Sequence, residues 1–135
     1  MARDPLTRLL APRAELAFTL LRMVAGFMFA LHGAQKILGI LGSSQPAVGS
    51  QMWIGGVIEL VAGTAIAVGF LTTWAAFLAS GTMAVAYVQF HWKMRFGEKL
   101  LPVANGGEMA ALYSFLFLYI ACRGPGRFHL GKGRR

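Results

Sequence analysis

Residues 53–70 read WIGGVIELVAGTAIAVGF, an apolar stretch whose only charged side chain is Glu59. Three further apolar stretches lie at residues 16–31, 74–90 and 108–122. Each stretch is about 15 to 18 residues long, near the lower limit for a helix that crosses roughly 30 Å of hydrocarbon. The sequence therefore predicts an all-α integral membrane protein, a four-helix bundle with helices at about 14–37, 52–70, 73–91 and 107–123.

The composition agrees with a membrane protein of one domain. Of 135 residues, 56% are hydrophobic and 13% are charged, and the charges cluster at the ends and in one connection. Four closely connected helices leave no room for a second domain, so residues 1–135 are predicted to form one unit. Because Cys122 is the only cysteine, an internal disulfide and a CxxC redox pair are both excluded.

Basic residues near the two ends predict the orientation of the helices. They are Arg3, Arg8 and Arg13 before the first helix, and Arg123, Arg127, Lys132, Arg134 and Arg135 after the last. An even number of spans places both termini in the cytoplasm, as the positive-inside rule requires, and the third connection then faces outward. The net charge of +8 is attributed to these tails beside a bilayer. Nucleic-acid binding is not expected, since short tails provide no folded reading element.

Arg22 and Glu59 are the two charges expected within the hydrocarbon. At 1.5 Å per residue, Arg22 lies roughly 12 Å and Glu59 about 16 Å from the cytoplasmic end of their helices. An ionisable group at such depth costs about 2.5 to 3.5 kcal/mol, so the two residues are predicted to form an ion pair. Gly26, Gly33 and Lys36 share the helical face of Arg22, and Gly63 follows Glu59 by one turn. Such small residues allow two helices to approach closely.

A second set of polar residues is expected where the helices end at the outer surface. The first helix ends with His32, Gln35 and Lys36, the third ends with His91, and the fourth opens with Asn105 and Glu108. This cluster is predicted to line the mouth of a pocket whose floor is Glu59. Simpler roles are interfacial hydrogen bonding for the histidines and a helix-terminal position for Glu108. Tyr87 and Tyr113 are further candidates to donate to a ligand.

Three long motifs resemble those of a known family. They are LLRMVAGFMFALHGAQKILG at 20–39, GGVIELVAGTAIAVGFLT at 55–72 and NGGEMAALYSFLFLYIACRGPGRFHL at 105–130. Together they resemble the DoxX family of small bacterial four-helix membrane proteins, over nearly the whole chain. The resemblance implies a multi-pass protein of the bacterial inner (plasma) membrane. The family is named after the small membrane subunit of a thiosulfate:quinone oxidoreductase, and its relatives are associated with membrane oxidoreductase complexes and with thiol or oxidative stress.

The resemblance and the polar residues together predict a membrane subunit of a redox system, with quinone-linked oxidoreduction as the concrete form. The predicted catalytic residues are Glu59, Glu108 and His32, and the predicted substrate-binding residues are Arg22, Gln35, Lys36, His91 and Asn105. The cofactor is not specified by the sequence, and a quinone is the one considered. Because the chain contains no motif for an electron-carrying cofactor, electrons are expected from a bound partner or a small reductant. The expected partners are the lipid bilayer, a soluble or membrane-bound redox protein, and a second copy of the chain in a homo-oligomer.

Two other classes of function stay open at this point. A non-enzymatic anchor or assembly subunit would use the predicted ion pair only for packing. A metal or small-molecule binder would use His32, His91, Glu59 and Glu108 as nitrogen and oxygen ligands, a set that suits zinc, copper or iron.

Overall fold

The computed structural model describes residues 4–131, which form helices and connections without any β-strand. The helices are α1 (Pro5–Leu10), α2 (Ala14–Leu38), α3 (Gln51–Val68), α4 (Thr72–Ala86), α5 (Pro102–Asn105) and α6 (Glu108–Arg123). A 3₁₀ turn at Ala11–Arg13 joins α1 to α2, a π-helical turn at Tyr87–Trp92 extends α4, and a second 3₁₀ turn lies at Gly97–Leu100. The all-α prediction is confirmed for this part of the chain, and Arg3, Lys132, Arg134 and Arg135 lie outside it.

Local capping explains where the two central helices begin and end. The side chain of Ser50 accepts a hydrogen bond from the backbone of Trp53 at the start of α3. Gly39 after α2 and Gly69 after α3 both adopt left-handed backbone conformations, with φ of 62° and 79°. A glycine takes this conformation without steric cost, so it stops a helix sharply. The observed bounds of α2 and α3 lie within two residues of the predicted 14–37 and 52–70.

Glycines hold α2 and α3 in close antiparallel contact. A Cβ atom added at Gly26 would lie 2.5 Å from the backbone nitrogen of Ala67, and one added at Gly33 would lie 2.6 Å from the carbonyl oxygen of Gly56. A Cβ atom at Gly63 would lie 2.7 Å from the carbonyl oxygen of Gly26. These distances leave no space for any side chain, so the two backbones touch directly, as predicted from the small residues on these faces.

Helices α4 and α6 complete the core on the other side of α2 and α3. The rings of Phe29 from α2 and Phe117 from α6 have centroids 4.8 Å apart, and Tyr113 stacks on Phe117 at 5.3 Å. The Ser80 hydroxyl of α4 donates to the Ser114 carbonyl of α6 at 2.7 Å. This hydrogen bond satisfies a buried hydroxyl within an otherwise apolar helix contact.

The C-terminal segment after α6 returns to the end of the molecule where α2 begins and α3 ends. The backbone N–H of Leu130 donates to the carbonyl of Val68 at 3.1 Å. At the same end, Arg123 in the last turn of α6 forms an ion pair with Glu15 in the first turn of α2. Its guanidinium group also lies 4.0 Å from the centre of the Phe18 ring. The beginning of α2 and the end of α6 are therefore adjacent.

The outer surface of the helices is strongly apolar. Large side chains point outward from three of the helices, and Phe27, Trp74, Phe77 and Phe115 are all more than half exposed. By length and composition, two helical segments of the described chain are sufficient to cross a membrane, Pro5–Leu38 and Gln51–Val68. An apolar exterior over a packed core is the arrangement expected of helices in contact with lipid.

Candidate functional site

An ion pair between α2 and α3 is the central polar contact of the molecule. Lys36 Nζ lies 2.6 Å from Glu59 Oε1. The carboxylate is almost completely buried, with its side chain 4% exposed, whereas the lysine side chain is 28% exposed. The other oxygen of the same carboxylate, Glu59 Oε2, is buried and has no hydrogen-bond partner among the described residues. Half of the acceptor capacity of a buried carboxylate is therefore unused, which is unusual because such groups are costly to desolvate.

This ion pair borders a cavity of about 630 Å³ that lies between α2, α3, α4 and α6. Most of the lining is apolar, including Phe29, Ile58 and Met83. The polar side chains of the lining are His32, Lys36, Gln51, Glu59, Thr82, His91 and Tyr113. A volume of this size, with an apolar wall and a few convergent polar groups, is typical of a site for a small organic ligand.

The structure brings four of the eight predicted site residues to this cavity. Lys36, Glu59 and His32 come from α2 and α3, and His91 comes from the π-helical turn after α4. The π turn affects the direction of the His91 side chain, because an extra residue in a helical turn rotates the residues that follow it. Such turns often occur at functional sites. His32, Lys36, His91 and Glu59 therefore line one cavity, and their roles in binding or catalysis stay predictions.

The other predicted residues lie outside the lining of this cavity. Asn105 organises the connection before α6: its side-chain amide donates to the Tyr87 hydroxyl at 3.1 Å and to the Lys99 carbonyl at 3.0 Å, and its oxygen accepts from the Gly107 N–H at 2.8 Å. Glu108 is exposed in the first turn of α6, where the helix dipole favours a negative charge. Gln35 is half-buried near the end of α2, and the structure gives its side chain no place in the cavity.

The predicted ion pair between Arg22 and Glu59 is wrong. Arg22 is 1% exposed, and its Nη1 donates to the carbonyl of Ile66 at 2.5 Å and to that of Ala67 at 3.0 Å. Its Nη2 donates to the carbonyl of Phe128 at 2.6 Å. Arg22 therefore closes the C-terminal end of α3, where carbonyls lack intrahelical donors and the helix dipole favours a cation.

The register of α2 against α3 explains the error. Gly26 contacts Gly63 in an antiparallel pair of helices, so Arg22 and Glu59 lie four residues from this contact in opposite directions. Eight residues at 1.5 Å each separate them by about 12 Å along the helix axes. Lys36, which lies on the same face of α2 as Gly33, packs against Gly56, and its long side chain reaches back to Glu59.

Several cavity residues were not predicted from the sequence. Gln51, Met52, Thr82 and Met83 contribute to the lining, but nothing in their spacing distinguishes them from other residues of apolar helices. Thr82 also bonds its own helix, since its hydroxyl donates to the Leu78 carbonyl at 2.9 Å. Tyr113, by contrast, was a predicted candidate donor, and it does line the cavity.

The donors considered for the metal-binding alternative do not meet within residues 4–131. No three side chains of the types His, Cys, Asp and Glu lie close enough in this part of the chain to share a metal ion. His32, His91, Glu59 and Glu108 therefore do not form the cluster of nitrogen and oxygen ligands that a zinc or iron site needs.

Comparison with known proteins identifies the family. Residues 17–92, which contain α3, α4 and nearly all of α2, match DoxX. The chain belongs to the DoxX family. An uncharacterized protein of Haemophilus influenzae is 44% identical over 110 residues, which cover 78% of this chain and 81% of that relative. No solved structure matches the chain.

Family membership fits the apolar exterior of the helices, since DoxX proteins are small membrane proteins. The region matched to DoxX includes the Lys36–Glu59 ion pair and the two cavity histidines, His32 and His91. Tyr113 and the rest of α6 lie outside the matched region. The polar groups of the cavity thus come mainly from the part of the chain that carries the family match.

Proposed function

We propose that this DoxX-family protein is a multi-pass protein of the bacterial inner membrane, in which four helices cross the bilayer and both termini are cytoplasmic. The Glu15–Arg123 ion pair supports this arrangement, because it joins the start of α2 to the end of α6. Arg8, Arg13 and Arg127 lie near the same end, and such clusters of basic residues favour the cytoplasmic side. The extended helix formed by α4 and the π turn would be the third span.

We further propose that the cavity binds a quinone or a similar ligand with a polar ring and an apolar body. The observation that carries this proposal is the buried Glu59 Oε2, which has no partner among the described residues and belongs to a residue that lines an apolar cavity. A ligand hydroxyl would donate to this oxygen. The largely apolar lining would accommodate the remainder of the molecule.

The charges of the cavity favour a neutral ligand. Lys36 and Glu59 form a contact pair of opposite charge, so their sum is zero and an ionic ligand would be left without a counter-charge. Lys36 uses one of its three N–H groups on Glu59 and can offer another to a quinone carbonyl. A quinone would thus accept from Lys36, and the corresponding hydroquinone would donate to Glu59.

In the proposed redox role, the chain holds the quinone while electrons arrive from outside the cavity. Reduction of a quinone to a hydroquinone takes up two electrons and two protons. Two thiols that are oxidised to one disulfide supply this amount, either as a small reductant or from a partner protein. In the ion pair the proton is on Lys36, so its ammonium group is suited to transfer a proton to the quinone oxygen, and the protons released by the two thiols replace it. The single cysteine of the chain, Cys122, has no part in this exchange.

The test is quinone retention by the purified protein. We expect a quinone to be extracted from protein purified in mild detergent, and we expect Glu59→Gln and Lys36→Met to lower the amount per protein at least about tenfold, as the loss of one charge-assisted hydrogen bond implies. Glu108→Gln is the matched control, because it removes a carboxylate that is exposed and outside the cavity lining. Equal quinone content in all four proteins would refute the site and favour a non-enzymatic anchoring role.

A further inference from the structure

A second cavity, of about 830 Å³, lies at the opposite end of α2 from the ion pair. It is formed by α2, by the end of α3 and by the returning segment 127–130. Three of its lining residues carry basic side chains, Arg22, Arg127 and His129. The others are largely apolar, among them Val24 and Phe27 of α2, which are 55% and 59% exposed on the outer surface.

No acidic residue balances the positive charge of this cavity. The chain has five acidic residues, and none of them lines it. Glu15 is paired with Arg123 and Glu59 with Lys36. Arg22 is 1% exposed and its partners are three backbone carbonyls, while its Nε atom is buried without a partner among the described residues. A buried guanidinium without a carboxylate is costly, and a bound anion would offset that cost.

We propose that this cavity binds an anionic phospholipid. Its phosphate would bind the exposed Arg127 near the positive charge of the buried Arg22, and one acyl chain would run along Met23, Val24 and Phe27. Arginine suits this role, since its planar guanidinium offers paired donors to a phosphate. Arg127 is exposed, so its donors can reach the head group.

The apolar half of the lining favours a lipid over free phosphate. A phosphate ion alone would leave Val24 and Phe27 without a partner, whereas an acyl chain would cover both. The site also fits the proposed topology, because anionic lipids are concentrated in the cytoplasmic leaflet and attract basic segments beside a membrane helix. The proposal concerns a different cavity from the quinone site, and neither depends on the other.

Delipidated protein in detergent provides the test, by native mass spectrometry and thermal melting after addition of phosphatidylglycerol, phosphatidylcholine or inorganic phosphate. We expect phosphatidylglycerol alone to be retained and to raise the melting temperature. Arg127→Gln should weaken phosphatidylglycerol retention about tenfold, the loss expected for one charge-assisted hydrogen bond. It should leave the melting temperature without lipid unchanged, because Arg127 is exposed.

Arg95→Gln is the matched control, since it removes an exposed arginine from the connection after α4, outside this cavity. Retention of phosphatidylglycerol by Arg95→Gln at the parent level supports a defined site. Equal loss in Arg95→Gln and Arg127→Gln would overturn the proposal in favour of general charge attraction. Equal retention of phosphatidylcholine, or equal stabilisation by inorganic phosphate, would also overturn it.

Discussion

Lys36 and Glu59 are joined at 2.6 Å, but they are buried to very different extents, with side chains 28% and 4% exposed. The lysine can therefore reach a more polar environment if its partner is removed, as long basic side chains commonly do at membrane surfaces. The carboxylate cannot reach a polar environment in this way, since it lies in the middle of α3 beside the glycine contact with α2. The two partners of one ion pair should thus respond differently to substitution.

Lys36→Met should destabilise the protein more than Glu59→Leu. We expect a loss of about 3 kcal/mol for Lys36→Met, because a buried carboxylate then has no counter-charge. We expect about 1 kcal/mol for Glu59→Leu, because the surviving lysine can be solvated. The double variant should recover most of the larger loss. Thermal melts in detergent of the four proteins measure these differences, and simple additivity of the two single losses would show that the residues do not interact.

The close contact between α2 and α3 predicts that a single methyl group added at a contact glycine will greatly lower the stability of the protein. Gly33→Ala and Gly63→Ala each add a Cβ atom that would overlap the backbone of the opposite helix. Backbone cannot move aside as a flexible side chain can, so each substitution should separate the helices and cost about 2 to 4 kcal/mol. Gly55→Ala is the control on α3, the helix of Gly63, since no atom lies within 4 Å of its added Cβ. It should be neutral or stabilising, because alanine favours a helix over glycine.

Helical periodicity allowed part of this geometry to be predicted from the sequence. Gly26 and Gly33 recur at seven residues on one face of α2, and this spacing alone indicates a close helix contact. His32 and Lys36 lie four residues apart on one side of α2, so their common position near one end of that helix was also predictable, whereas the contact of Lys36 with Glu59 was not. These features depend on which residues share a face, and a sequence specifies that directly.

The partners of Arg22 could not be predicted in the same way. Depth along each helix was estimated from its ends, whereas the actual register is fixed by the contact of Gly26 with Gly63. The partners of Arg22 are backbone carbonyls, which every residue possesses, so no sequence signal marks Ile66, Ala67 or Phe128. A return of the chain after α6 can be inferred only from the three-dimensional structure.

Arg22→Leu should release the C-terminal segment from α3. The substitution removes three hydrogen bonds to carbonyls, at an expected cost of about 2 to 4 kcal/mol. The carbonyls of Ala67 and Phe128 lose their donor, whereas that of Ile66 still accepts from the Gly69 N–H at 3.2 Å. Arg22→Lys should recover less than half, because one ammonium group cannot match the planar fork of a guanidinium. Limited trypsin digestion should cut faster after Arg127 in both variants than in the parent.

Arg8→Leu serves as the control for this experiment, since it removes an exposed arginine from α1. It should leave the rate of cleavage after Arg127 unchanged. Parent-like rates in Arg22→Leu would contradict the proposed role of this side chain in holding the segment, even if the variant melts at a lower temperature.

The proposed orientation predicts which positions a membrane-impermeant reagent can reach. With four spans and cytoplasmic termini, the connection that contains Lys99 faces outward and Arg127 faces the cytoplasm. Lys99→Cys, made in a Cys122→Ser background, should react with an impermeant maleimide in intact cells. Arg127→Cys in the same background should react only after the membrane is opened. Cys122→Ser alone provides the unlabelled control, because Cys122 is the only cysteine of the chain.

If position 99 reacts only after lysis while position 127 reacts in intact cells, the orientation is inverted. If both positions react from the same side, the chain does not have the proposed four spans.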